Sequence, residues 1–402
     1  MPTPCPAPAT AESAAPRLLA LILATSLACR PPASGSPGET GDPTPGDTAL
    51  GIDTGGGAGS GRDTGGDTGG GAGSGRDTGG DPGEDAPLNW MNPHGADASL
   101  MWERLDDWSE TRARTDVVSF YVQAVGDDHR GHTTAAVQAL TGLGIELAVE
   151  AGGTLASVGC GDDVGSRSAE LELSRLETIT AAGGRLSWLS LDGPISRTIA
   201  TGRAANCGFT LGQSVDALAE YVEIIRVAHP GVQIGWLVNL PNWSYGGIES
   251  YQCATKDYGD LQRALDAVVD GLAARGQSLD YLMVDEPYDY SQGLVDSNCH
   301  ADPAAVDWLG RLRSLEEQVR GHGLRFAQIY NSSRGGATSN ALFHDDTVAQ
   351  AVAHRAAGGR PDIRLVSSWY SHPDAVMPET TPYTFTHTAL ETWRAADGAE
   401  RR

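Results

Sequence analysis

The chain has 402 residues and a formal net charge of −24, from 52 acidic and 28 basic side chains. A nucleic-acid-binding protein needs a basic surface, so this balance argues against a nucleic-acid partner. An acidic surface also disfavours polyanionic substrates and is compatible with neutral or cationic ones.

The first predicted element is an export signal over residues 1–28. Arg17 precedes an apolar run over residues 18–28, which is too short to span a bilayer and is typical of a secretory signal. Residues 26–29 read Ser-Leu-Ala-Cys, which resembles the lipobox of bacterial lipoproteins. The resemblance implies a lipid on Cys29 as the sole membrane attachment, in the periplasm, at the outer membrane or on the cell surface. Cleavage at the same point without lipidation would instead give a soluble secreted protein.

A low-complexity linker is predicted over residues 29–86. This stretch consists mainly of Gly, Asp, Thr, Ser and Pro, and it cannot bury enough apolar surface to offset the entropy lost on ordering. A ten-residue sequence that starts at Asp53 recurs from Asp67, with a period of 14 residues. Gly and Ser make such a segment a flexible spacer. We therefore expect one folded domain, over residues 87–402.

The domain alternates strand-like and helix-like patterns. Runs rich in β-branched and aromatic residues predict strands at 116–123, 145–150, 186–192, 232–239, 279–285, 324–331, 363–369 and 383–388. Amphipathic helices are predicted between them, for example at 212–228, 259–275 and 302–320. Eight strands alternating with helices predict an α/β fold, a (β/α)8 TIM barrel. A doubly wound open sheet is the alternative, but no glycine-rich phosphate-binding motif follows an early strand.

Four cysteines remain in the domain: Cys160, Cys207, Cys253 and Cys299, at intervals of 47, 46 and 46 residues. An even number of cysteines in an exported protein predicts disulfides, and four allow three pairings. The absence of a Cys-x-x-Cys pair argues against zinc. Each cysteine follows a predicted strand, and neighbouring loops of a barrel touch at one rim. We therefore expect the pairs Cys160–Cys207 and Cys253–Cys299.

Carboxylates stand at the ends of several predicted strands, where a barrel builds its active site. Side-chain alternation predicts that Glu150, Asp192 and Asp285 face inward, and Glu286 follows directly. A single acid in such a place is often only a helix cap or an arginine partner. Several acids in one mouth push their pKa values apart, which a general acid beside an ionised carboxylate requires.

Polar and aromatic side chains accompany these acids. A flat ring suits the apolar face of a sugar, so we expect substrate contacts from Gln123, Asn239, Trp243, Tyr245, Tyr288, Tyr330, Trp369 and His372. Neither a zinc-binding H-E-x-x-H nor a G-x-S-x-G nucleophile motif occurs. The sequence predicts a monomer with no metal and no cofactor.

The chain resembles TIM-barrel glycoside hydrolases over about residues 90–395, and particularly exported barrels with a strand ending in Asp-Glu-Pro. The resemblance rests on Asp285-Glu286-Pro287, on Glu150-Ala-Gly and on Asp192-Gly-Pro. The sequence lacks the Asn-Glu that ends the fourth strand in the cellulase-like clan, and it lacks the chitinase D-x-x-D-x-D-x-E pattern. No mechanism is therefore transferred from either group.

The resulting hypothesis is an enzyme, a glycoside hydrolase that cleaves a neutral or cationic polysaccharide or oligosaccharide outside the cell. Two carboxylates would carry the reaction. Glu286 is the favoured general acid/base, Asp192 the nucleophile or water-activating base, and Asp285 and Glu150 tune or bind. The alternatives are a non-catalytic carbohydrate-binding lipoprotein on the same fold and a metal-dependent barrel hydrolase that uses the same acids as ligands.

Overall fold

A computed structural model describes residues 86–94, 97–127, 132–199, 206–253 and 256–398. The predicted export signal, nearly all of the predicted linker and Cys29 lie outside these residues. None of the helices within the described ranges is long and apolar enough to cross a membrane.

Eight parallel strands close into a barrel in chain order. They are β1 (Leu88–Asn92), β2 (Val117–Tyr121), β3 (Glu146–Ala151), β4 (Trp188–Asp192), β5 (Gln233–Asn239), β6 (Tyr281–Asp285), β7 (Arg325–Tyr330) and β8 (Ile363–Ser367). Each strand pairs with the next one, and β8 pairs with β1 to close the ring. The predicted TIM barrel is therefore confirmed.

Helices follow the strands and cover the outside of the barrel. They are α1 (Ser109–Arg114), α2 (Val122–Asp127), α3 (His132–Leu143), α4 (Val164–Ala181), α5 (Leu211–Ala228), α6 (Leu261–Ala273), α7 (Tyr288–Ser291), α8 (Trp308–Gly321), α9 (Ser333–Thr338), α10 (Asn340–Ala356) and α11 (Phe385–Asp397). Local sequence fixes where they begin. At α5, Thr210 Oγ1 accepts a hydrogen bond from Gln213 N and Gln213 Oε1 accepts one from Thr210 N, which is a capping box.

The predicted strands differ from the observed ones at the two ends of the domain. Residues 383–388 are not a strand, because Phe385 begins α11 and the side chains of Phe385, Ala389 and Trp393 are buried at helical spacing. The first strand was missed. Its five residues, LNWMN, carry asparagine near both ends, and the run is too short to show alternation.

Aromatic rings fill the end of the barrel at which the amino ends of the strands lie. The rings of Trp90 and Trp188 lie 5.0 Å apart, and Tyr281 lies 5.8 Å from each of them. Gly235 is required beside them, since a Cβ there would lie 2.0 Å from the ring of Tyr281. This packing leaves the open mouth at the carboxyl ends of the strands.

Two disulfides join neighbouring loops at that mouth, in the expected pairing. Cys160–Cys207 links the loop after β3 to the loop after β4. Cys253–Cys299 links the loop after β5 to the connection after β6. Each bridge therefore ties together two loops that follow strands ending in candidate site residues.

Candidate active site

Three carboxylates converge on the mouth from the ends of three strands. Glu150 is the second-last residue of β3 and lies on the same face as Ala148, whose side chain packs inside the barrel. Asp192 ends β4 and Asp285 ends β6 on the corresponding faces. Burial raises the pKa of Glu150 to about 8, and the charges of Asp192 and Asp285 act in the same direction. At neutral pH Glu150 therefore carries a proton beside other acids.

Two neighbours of this group oppose the rise in the pKa of Glu150. Trp369 forms a side-chain hydrogen bond to Glu150, which favours the ionised form, and Arg197 acts through its charge. Arg197 belongs to the loop after β4 and forms an ion pair with Asp192 through Nη2. Its Nε also donates a 2.8 Å hydrogen bond to the backbone oxygen of Asp192. Asp192 is thus held by one cation in two places.

Asp285 is fixed by two amides. Asn331 Nδ2 donates to Oδ1 at 3.0 Å and Asn239 Nδ2 donates to Oδ2 at 3.3 Å. Burial raises the pKa of Asp285 to about 7, although the bond from Asn331 opposes the rise. Both carboxylate oxygens therefore accept hydrogen bonds, and Asp285 holds the side chains of Asn239 and Asn331 in the mouth.

The structure does not bring Glu286 to this group. Consecutive side chains point to opposite sides of a strand, so Glu286 lies towards the helices while Asp285 faces the mouth. Its side chain is 1% exposed, and neither carboxylate oxygen has a hydrogen-bond partner among the described residues. Burial raises the pKa of Glu286 to about 7, and the opposing charge is that of Arg311 on α8. The role of general acid/base that the sequence favoured for Glu286 does not fit this position.

Tyr121 belongs to the mouth and was missed. It ends β2 and pairs in register with Glu150. Burial raises the pKa of its phenol well above the ordinary value, and Glu150 adds to the rise. Gln123, predicted at this strand end, instead lies exposed on α2. In an extended chain Tyr121 and Gln123 would lie on the same face. Because β2 ends at Tyr121, earlier than predicted, Tyr121 takes the position in the mouth that was expected for Gln123.

Four other predicted sugar contacts lie either in the mouth or at its edge. Asn239 and Trp369 lie in the mouth, as described. Tyr288 begins α7, is partly buried, and its backbone N–H donates 3.0 Å to the oxygen of Asn331. His372 lies in the loop after β8, where its Nδ1 is 2.7 Å from Oδ1 of Asn340. These positions leave Tyr288 and His372 at the edge of the mouth.

Three predicted contacts lie away from the mouth instead. Trp243 is buried, with its ring 5.8 Å from Trp236. Tyr330 faces the helices, where its hydroxyl lies 3.2 Å from His354 Nδ1. Tyr245 lines a separate cavity of about 280 Å³ beside α8. Sequence marks all three as aromatic residues near strand ends, but burial depends on the helices packed over them.

A buried acid behind the mouth was also missed. Glu172 on α4 accepts a 2.7 Å hydrogen bond at Oε1 from Gly152 N, two residues beyond Glu150. The hydroxyl of Tyr221 donates to Oε2. Burial raises the pKa of Glu172 to about 7. No sequence signal marks this residue, since an acid in an amphipathic helix is usually exposed.

The fold and the mouth define a TIM barrel with an acidic, aromatic-lined opening. No protein-family model matches the chain, and no curated protein matches it. Among solved structures it is similar to a fungal β-1,4-galactanase, at 10% identity over 76% of this chain and 99% of the other, with a TM-score of 0.48. A GH10 endoxylanase from a sugarcane soil metagenome shows 8% identity over 71% and 86%, with a TM-score of 0.42.

A barrel of different chemistry is similar to the same degree. The D-psicose 3-epimerase of Clostridium cellulolyticum H10 shows 10% identity over 78% of this chain and 99% of the other, with a TM-score of 0.43. At such identities and scores these similarities assign none of the activities to this chain.

Proposed function

We propose that the protein is an exported glycoside hydrolase that cleaves a neutral or cationic polysaccharide or oligosaccharide. The observation that carries the proposal is the convergence of Glu150, Asp192 and Asp285 on one mouth, with a protonated carboxyl among them at neutral pH. Glycoside hydrolysis needs one carboxyl that donates a proton and one carboxylate that attacks the sugar or activates water.

Glu150 is the proposed general acid. With a pKa of about 8 it holds its proton at pH 7 and can deliver it to the leaving glycosidic oxygen. Asp192, paired with Arg197, is the proposed nucleophile or water-activating base. Asp285 is the proposed positioning carboxylate, since both of its oxygens accept hydrogen bonds from amides. This assignment moves the acid from Glu286 to Glu150.

The charges of the mouth support the proposed substrate class. Asp192 and Asp285 line it beside the protonated Glu150, and the guanidinium of Arg197 is already engaged with Asp192. A uronic or sulfated sugar would bring further negative charge next to these groups and would be repelled. Aromatic side chains at the rim, such as Trp369, suit the apolar face of a neutral ring.

Export is supported by the two disulfides, because such bonds persist in oxidising compartments and are rare in the cytosol. Anchoring through a lipid on Cys29 remains a prediction from the sequence. Mass spectrometry of the mature N-terminus would decide between a lipidated cysteine and a free one.

The hydrolase assignment is tested with a panel of neutral, amino-sugar and uronic-acid glycans. Glu150→Gln and Asp192→Asn should each reduce kcat by about 10²–10⁴-fold on any glycan that the wild type cleaves. Glu177→Gln, at an exposed site on α4, is the matched control and should retain full activity. Full turnover in both mouth variants would refute the assignment. Binding without cleavage would favour the carbohydrate-binding alternative, and loss of activity with a chelator would favour a metal-dependent hydrolase.

A further inference from the structure

Three uncharged polar residues stand side by side at the ends of β7, β8 and β1, and are here called the strand-end row. Asn92 of β1 pairs in register with Ser367 of β8. Asn331 directly follows Tyr330, which pairs with Val366, so Asn331 lies level with Ser367. The row therefore crosses three consecutive strands at one height.

The row faces the interior of the barrel mouth. Asn92 shares its strand face with Trp90, and Ser367 shares its face with Leu365, whose side chains both pack inside the barrel. The row is almost completely buried, with exposed fractions of 2% for Asn92, 0% for Ser367 and 1% for Asn331. It therefore forms part of the wall beneath the rim.

Each asparagine of the row has one side-chain atom without a hydrogen-bond partner among the described residues, whereas the side chain of Ser367 forms a hydrogen bond with Tyr121. The two asparagine atoms are Nδ2 of Asn92, a donor, and Oδ1 of Asn331, an acceptor. The orientation of the Asn331 amide follows from its contact with Asp285, since Nδ2 donates to that carboxylate and Oδ1 must point elsewhere. Leaving buried polar groups unpaired is unfavourable, so a ligand that supplies both a donor and an acceptor is stabilised here.

The chemistry of the row favours an uncharged ligand. None of its side chains carries a charge, and the oxygens of the nearby Asp285 are occupied by Asn239 and Asn331. Asn92 and Asn331 are separated by β8, which places their strands about 10 Å apart at the usual spacing of about 4.8 Å. The hydroxyls of a sugar ring act both as donors and as acceptors across such a span.

The row is also connected to the proposed general acid. Trp369 follows Ser367 by two residues, is partly buried against the barrel interior and forms a hydrogen bond to Glu150. A ring held by the row would thus lie beside an aromatic face that contacts the acid.

We propose that the strand-end row is a subsite for one uncharged sugar ring of a neutral glycan. This inference rests on the proposed function and narrows its substrate from neutral or cationic glycans to neutral ones. A site built to hydrogen-bond hydroxyls discriminates against ligands that leave its buried polar groups unpaired.

The test measures binding by calorimetry in the Glu150→Gln background, which prevents turnover during the titration. Neutral hexose oligosaccharides are compared with amino-sugar and uronic-acid oligosaccharides of the same length. We expect the neutral series to bind most tightly. Asn92→Ala and Ser367→Ala should each raise the Kd of the neutral series at least tenfold. Ser371→Ala, an exposed site in the loop after β8, is the matched control and should leave it unchanged.

Asn92→Asp is included because it preserves the shape of the side chain if the alanine variant fails to fold. It removes the donor and adds a charge, so it should also weaken neutral binding. Wild-type affinity in the three row variants would refute the subsite and leave the row as a site for ordered water only. Tighter binding of the amino-sugar series would refute it as well. The proposed function fails separately, if Glu150→Gln retains turnover.

Discussion

Glu172 Oε1 accepts a 2.7 Å hydrogen bond from the backbone N–H of Gly152, two residues beyond Glu150. The contact ties α4 to the turn that follows the proposed general acid. Thr154, in the same turn, donates from its hydroxyl to the oxygen of Pro194, two residues beyond Asp192. The turns after β3 and β4 are therefore held to each other and to the helix layer. We infer that Glu172 positions this pair of carboxylates.

Loss of the Glu172 carboxylate should impair catalysis, although Glu172 does not contact the substrate. In Glu172→Ala the partly buried Gly152 N–H loses its acceptor, which should cost about 1 kcal/mol of unfolding free energy. Displacement of Glu150 by ~1 Å could cost up to about 100-fold in rate, and we expect kcat to fall at least tenfold with KM little changed. Glu172→Gln keeps the acceptor oxygen and should restore most of kcat. Equal kcat in Glu172→Ala and the exposed-site control Glu177→Gln would contradict the positioning role.

The pH dependence of activity should follow the proton on Glu150. A general acid works only while protonated, so kcat should decline about tenfold per pH unit above the pKa of about 8. The hydrogen bond from Trp369 favours the ionised form of Glu150, so Trp369→Phe should raise that pKa and move the alkaline limb to higher pH. The control Tyr383→Phe, an exposed ring just before α11, should leave the limb in place. An unmoved limb in Trp369→Phe would exclude Glu150 as the group that titrates.

Stability should decrease as pH rises through the neutral range. Burial raises the pKa of Glu150 to about 8 and those of Glu172 and Asp285 to about 7, above the ordinary carboxyl values near 4. Between about pH 4.5 and 8 the folded protein holds protons that the unfolded chain has released, so the free energy of unfolding falls over this window. Urea unfolding at pH 5 and pH 8 measures the difference. Glu172→Gln should flatten the slope relative to Glu177→Gln, and an unchanged slope would contradict the raised pKa of Glu172.

The strands in the middle of the chain could be predicted because each is a continuous apolar run buried on both faces. Most of the barrel could be predicted from these strands. The mouth could be predicted from the polar residue at the end of each strand. β1 could not be found, since its burial comes from pairing with β8, which follows it by about 270 residues. Because β1 was not predicted, Asn92 could not be recognised as the end of a strand, and the strand-end row could not be predicted.

The position of Glu286 could have been inferred from alternation alone, because an inward Asp285 implies an outward neighbour. The roles of Trp243 and Tyr330 could not, because both are buried by residues distant in sequence. Tyr330 meets His354 on α10, and Trp243 supplies a backbone oxygen to Arg311 on α8. Such contacts have no local sequence signature.

The two acids at the end of β6 should respond differently to neutralisation. Asp285→Asn removes a carboxylate that organises the mouth and should reduce kcat at least about tenfold. Glu286→Gln alters a buried group near Arg311 and should retain most of kcat. Steady-state kinetics on the same glycan, with circular dichroism to verify folding, compares them. A larger loss in Glu286→Gln would restore the role predicted for it from the sequence.

Removal of the two disulfides should separate stability from catalysis. Each bridge closes a loop of similar length, with separations of 47 and 46 residues, so each should contribute about 2–4 kcal/mol to the free energy of unfolding. The two disulfides differ in the site residues that precede the loops they join. Cys160–Cys207 joins the loops that follow Glu150 and Asp192, whereas Cys253–Cys299 joins those that follow Asn239 and Asp285.

Paired Cys→Ser variants of each bridge, measured by urea unfolding and by kinetics, test this difference. Both should lose similar stability, because the loops they close are nearly equal. The Cys160–Cys207 variant should lose more kcat, because its loops lie directly beyond the proposed acid and its partner. The Cys253–Cys299 variant should keep the acid and its partner in place and affect KM more than kcat. A larger kcat loss in the second variant would place a reacting carboxylate at the end of β6, and would count against Glu150 as the acid.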